Sequence, residues 1–141
     1  MRKPSFYLTS AVLTIFLLSG CDLFDKDIKF GRNLEGEWEV ISLTQDELET
    51  MGLLYSKIEL EFEDYDKGDG EGDFSTRYYY PSGDIHNSFG EYEVNDQGVN
   101  LELSYSTGTT VLWTIYHLKG DQLELELMLN GSIFYMKAER D

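Results

Sequence analysis

The side chains able to do chemistry are few and scattered. Cys21 is the only cysteine in the 141 residues, and His86 and His117 are the only histidines. A deprotonated thiol is a nucleophile, and an imidazole is the usual base near neutral pH. His86 falls in Gly83-Asp84-Ile85-His86-Asn87-Ser88, a loop by composition, where Asp84 can orient the ring and Ser88 is close in sequence. His117 sits near the end of a separate strand-like segment, and no spacing joins the two. The acidic stretch Asp64-Tyr65-Asp66-Lys67-Gly68-Asp69-Gly70-Glu71-Gly72-Asp73 invites a calcium reading. Counted as an EF-hand loop from Asp64, its fifth position is Gly68 and its twelfth Ser75, so two ligands are missing. Its glycines suit a hairpin loop instead. Tyr78-Tyr79-Tyr80-Pro81 is the densest aromatic cluster. Its rings offer rigid contact area for a sugar or a partner, but strand parity sends Tyr78 and Tyr80 to one face and Tyr79 to the other. Without a metal-ligand cluster or a phosphate-binding glycine loop, these residues call for no cofactor and argue against an enzyme.

Cys21 gains its meaning from what precedes it. The apolar run from Phe6 to Ser19 is about fourteen residues, too short for the roughly twenty that span a bilayer. Arg2 and Lys3 stand before it, and Ser19 and Gly20 close it. A basic start, a short apolar middle and a small-residue end make a secretory leader. Leu18-Ser19-Gly20-Cys21 resembles the lipobox of bacterial lipoproteins. That resemblance implies loss of residues 1–20, a lipid on the Cys21 thiol, and attachment to a membrane of the bacterial cell envelope. An ordinary secreted chain with one unpaired thiol is the alternative. Without Arg2 and Lys3, nine basic residues face 27 acidic ones, a net charge of −18. Such a surface repels nucleic acid and draws cationic partners. With Cys21 lipidated no disulfide can form, so a hydrophobic core must hold the fold.

Residues 21–33 read as the lipidated end and a charged tether, and residues 34–141 as one domain. In that domain the hydrophobic period is two. Lys57-Ile58-Glu59-Leu60-Glu61-Phe62, Asn100-Leu101-Glu102-Leu103 and Gln122-Leu123-Glu124-Leu125-Glu126-Leu127 alternate without error. These are half-buried antiparallel strands, apolar inward and acidic outward. Turn signals recur roughly every dozen residues, and Asn130-Gly131 is a strong two-residue hairpin. Eight strands follow, near 36–43, 57–64, 73–80, 87–94, 99–106, 109–118, 122–129 and 132–140. Thr44-Gln45-Asp46-Glu47 has the form of a capping box, so one short helix is expected after the first strand. The pattern predicts an all-β, eight-stranded antiparallel up-and-down barrel, with a two-sheet sandwich as the alternative.

Leu34-Glu35-Gly36-Glu37-Trp38 resembles the Gly-x-Trp opening of lipocalins and related calycin barrels. In that family a basic residue late in the last strand packs across the tryptophan, and Arg140 stands at the matching place. The resemblance implies a lipocalin-like barrel that binds a small apolar ligand. Gly36, Trp38 and Arg140 are then its structural residues, and Phe62, Phe74, Tyr78, Tyr92, Trp113 and Phe134 its ligand-lining interior. The competing reading is an acidic interaction module or inhibitor for a cationic protein. The lipid assignment has a direct check. Cys21→Ser should abolish acyl labelling and release the protein from the membrane fraction, or leave it unprocessed.

Overall fold

The computed structural model describes residues 29–65, 71–96 and 98–141. Residues 1–28, with Cys21 and its leader, lie outside the described residues, as do positions 66–70 of the acidic segment. Among the described residues a short helix, α1 (residues 29–34), precedes nine strands. They are β1 (Gly36–Gln45), β2 (Leu48–Glu49), β3 (Lys57–Phe62), β4 (Glu71–Tyr79), β5 (Ile85–Asn95), β6 (Asn100–Tyr105), β7 (Thr110–Lys119), β8 (Gln122–Leu129) and β9 (Ser132–Arg140). From β3 to β9 each strand pairs antiparallel with the next. β1 pairs with β3 on one edge and β9 on the other, which closes the barrel. The two residues of β2 pair with the end of β1, beyond the part held by β3. The eight expected strands are therefore the eight barrel strands.

Period-two patterning explains the walls. Ile58, Leu60 and Phe62 are buried while Glu59 and Glu61 face water, and Leu123, Leu125 and Leu127 repeat the arrangement. Two bulges reset the parity, one in β1 between Val40 and Ser42 and one in β7 between Ile115 and His117. Each leaves one extra residue on the outside, half-exposed Ile41 and Tyr116. Beyond the first bulge it is Leu43, not Ser42, that enters the core.

Two expectations about helices are corrected. The segment after the first strand is not helical. β1 continues through Thr44 and Gln45, which pair with Tyr135 and Phe134 of β9. Asp46 and Glu47 then reverse the chain with φ of 49° and 70°. Asp46 accepts the Ile133 amide at 2.9 Å instead of serving a helix. Strand pairing has satisfied the backbone that a cap would have served. The helix lies instead at the end of the supposed tether. Phe30 and Leu34, four residues apart on one face of α1, pack into the core, with Leu34 fully buried. So short a helix is not stable alone, and its packing holds it.

The β1–β2 turn yields a prediction. Glu47 occupies a left-handed conformation that costs a side chain about 1–2 kcal/mol, against the extra unfolded-state entropy of glycine. Glu47→Gly should therefore stabilise the domain by about 0.5–1 kcal/mol in chemical unfolding. Asp46→Ala, which also loses the bond to Ile133, should destabilise it.

Candidate ligand-binding site

One end of the barrel is shut by a floor built on α1. The last carbonyls of a helix have no partner within it, and here two side chains supply them. The Trp38 indole N–H donates to Leu34 O at 2.8 Å. The Arg140 guanidinium donates to Asn33 O at 2.6 Å and also to Glu35 O. The same guanidinium lies 4.3 Å from the Trp38 ring centroid, and Trp38 is completely buried. Trp38 and Arg140 are direct cross-strand partners on β1 and β9. Gly36 is required beside them. Its φ is +118°, and a Cβ there would come within 2.8 Å of Arg140 Nη1. Tyr65 and Tyr92 complete the floor. Their ring centroids are 5.4 Å apart, and the Tyr92 hydroxyl donates to Glu63 O at 2.7 Å. Burial, reinforced by Glu35 and Tyr65, holds the Tyr92 hydroxyl well above the usual tyrosine range, so it remains a donor.

The other end, the mouth, is plugged by the chain between β2 and β3. Thr50 anchors the plug by donating both its hydroxyl and its amide to Leu43 O, at 2.5 and 2.9 Å. Met51 and Tyr55 pack on the core, and the Tyr55 ring lies 5.6 and 5.5 Å from those of Tyr78 and Tyr80. Between them Leu53 and Leu54 stand out in solvent, 76% and 54% exposed.

Between floor and plug lies a cavity of about 20 Å³, room for one water molecule. Leu60, Phe62, Phe74, Leu103, Trp113, Leu125 and Met136 make its walls apolar, and Thr76, Tyr78 and Tyr105 bring three hydroxyls. The Tyr78 hydroxyl neighbours those of Thr76 and Tyr105. Thr76 Oγ1 is nonetheless buried without a well-formed hydrogen bond. Burial pushes the Tyr78 and Tyr105 hydroxyls above the usual tyrosine range, so both stay protonated.

Four of the six residues read from sequence as ligand-lining, Phe62, Phe74, Tyr78 and Trp113, meet at this cavity. Tyr92 and Phe134 do not. Tyr92 is part of the floor, and Phe134 packs at the mouth end of β9, where it pairs with Gln45. Thr76 and Tyr105 escaped notice although parity pointed to them, through Phe74-Thr76-Tyr78 and Leu101-Leu103-Tyr105. Tyr55 gave no signal, because it reaches the mouth from irregular chain. His86 lies on strand β5 rather than in a loop, beside Tyr78 at the mouth, with ring centroids 6.3 Å apart. The Asp84 carboxylate accepts from Ser82. His117 pairs with Glu124 in the β7–β8 ladder, so the two histidines belong to different parts of the wall. Among the described residues no three acidic, imidazole or thiol groups converge in a metal site.

A closed eight-stranded antiparallel barrel with an arginine laid across a buried tryptophan at its floor is a lipocalin-like fold. The chain belongs to the lipocalin-like domain family, whose model matches residues 34–125. No curated protein matches the chain. Solved structures that do include a lipocalin-like protein from Bacteroides uniformis, at 14% identity and TM-score 0.56, covering 77% of this chain and 99% of that one. Lobster apocrustacyanin A1 matches at 16% identity and TM-score 0.59, over 85% of this chain and 67% of its own. A redesigned β-barrel bound to the small molecule DFHBI matches at 16% identity and TM-score 0.53, over 77% and 99%. At these identities the likeness is one of fold.

The floor can be tested by truncation. Arg140→Ala removes a cation–π contact and two charge-assisted hydrogen bonds, and should cost about 2–4 kcal/mol in urea unfolding. Glu139→Ala should stay within about 0.5 kcal/mol of the parent, or stabilise it slightly. Glu139 is exposed and lies directly opposite Glu39, a like charge.

Proposed function

We propose that this domain binds one small, largely apolar ligand inside the barrel, admitted by movement of the Met51–Tyr55 plug. The observation that carries this reading is the meeting of three hydroxyls, one without a well-formed bond, in an otherwise apolar interior. Ligand pockets are mostly apolar with a few convergent polar groups, and a buried unpaired polar atom calls for an explanation. The plug is hydrogen-bonded to the barrel at its two ends, Thr50 to Leu43 O and Ser56 to Tyr79 O, and between them the apolar tips Leu53 and Leu54 make no use of the core. The redesigned barrel of nearly the same extent is bound to a small molecule, which supports the capacity of a barrel this size. The fold is one that binds rather than catalyses. We further propose that the domain is held to an envelope membrane through a lipid on Cys21.

The outer wall supports a second reading, an acidic module for a cationic protein. Glu37 stands opposite Glu61, and Glu39 opposite both Glu59 and Glu139. Like charges placed directly across a sheet repel. A surface groove of about 310 Å³ runs beside them, lined by Glu37, Glu59, Glu61, Asp141, Arg77 and Phe89. Native mass spectrometry of the purified protein separates the readings. A single bound small molecule should appear, and should be lost in Leu103→Phe, which fills the cavity, while the circular dichroism spectrum is unchanged. An empty wild-type barrel that binds a lysine-rich peptide saturably would favour the acidic module.

A further inference from the structure

We infer that the interior site selects uncharged ligands carrying one hydroxyl or carbonyl group and rejects carboxylates of the same skeleton. This rests on the interior-binding reading above. The cavity's polar groups are the hydroxyls of Thr76, Tyr78 and Tyr105, and no charged residue lines it among the described residues. The Arg140 guanidinium is spent on the floor, where it holds two backbone carbonyls and the Trp38 ring. At the mouth Lys57 is paired with Glu59 at 2.7 Å. Asp46, Glu47 and Asp84 belong to the turns at that same end, and Glu49 to β2 beside them.

An anion would therefore approach a net charge of −16 for the whole chain and then shed its water where no cation awaits it. Burying an unpaired carboxylate is far costlier than burying a hydroxyl that finds partners. A neutral hydroxyl or carbonyl can take a hydrogen bond from protonated Tyr78 or Tyr105. A ligand hydroxyl can also satisfy Thr76 Oγ1, which now lacks a regular bond. The polar cluster therefore acts as a handle for neutral groups.

The test is a matched titration of the purified protein at pH 7.5 with 1-octanol and with octanoate. The methyl NMR signals of Leu103, Leu125 and Met136 report the cavity. Octanol should shift them saturably, with an apparent affinity at least about tenfold above that of octanoate. Thr76→Val and the near-isosteric Tyr105→Phe should each weaken octanol by about tenfold while leaving the rest of the spectrum folded. Octanoate binding as tightly as octanol would overturn the selectivity with interior binding intact. Undiminished octanol affinity in both variants would overturn the hydroxyl assignment. If neither compound moves the cavity methyls, the interior-binding reading itself fails, and the inference with it.

Discussion

The guanidinium of Arg140 is the point at which the three parts of this fold are tied together. It belongs to the last strand, stacks on a ring from the first, and holds carbonyls at the end of the helix that precedes both. Each contact answers a separate physical demand. The sheet must close, the helix carbonyls need donors, and the large indole must be buried with its N–H satisfied. A positive charge at the C-terminus of α1 also suits the helix dipole. A planar fork reaches two carbonyls while lying flat on a ring, which a lysine ammonium cannot do. Gly36 follows from that geometry, because the arginine needs the space a side chain would occupy.

Closure in turn decides what the interior can be. An eight-stranded barrel is just wide enough for its own side chains or for one small ligand, and here the side chains take nearly all of it. The acidic outer wall sets like charges opposite one another, so the apolar interior must outweigh that repulsion. The segment least committed to the core is the plug, whose leucines stay in water while Tyr55 and Met51 seal the mouth. Local opening should therefore begin there, and the ordered floor should be the last part to yield.

Much of this was legible in the sequence, because a wall that is apolar on one side and acidic on the other writes an alternation that no helix shares. The barrel strands, the inward residues Ile58, Leu101 and Leu125, and the pairing of Trp38 with Arg140 all came from that parity and from one short motif. What parity could not show were its own interruptions. The bulge at Ile41 moves Leu43 inward, and nothing local marks it. The capping box at Thr44 was a true local preference overridden by pairing with β9. In α1 the two apolar positions that anchor the helix were hidden among charges, and the Gly98 against which Phe30 packs is remote in sequence. Parity also states which wall a residue faces but not its height in the barrel. For that reason Tyr92 was read as lining the cavity when it closes the floor.

The closing contact has a consequence for the order of assembly. Trp38 on the first barrel strand meets Arg140 on the last. A chain emerging from its N-terminus, from a ribosome or through a pore, can form hairpins from β3 onward as each turn appears. It cannot complete the floor, shield the edge of β1 or finish capping α1 until β9 arrives. The barrel is in effect kept open until its last strand is in place. Loss of β9 would leave the edges of β1 and β8 unpaired, the arrangement from which chains add to one another.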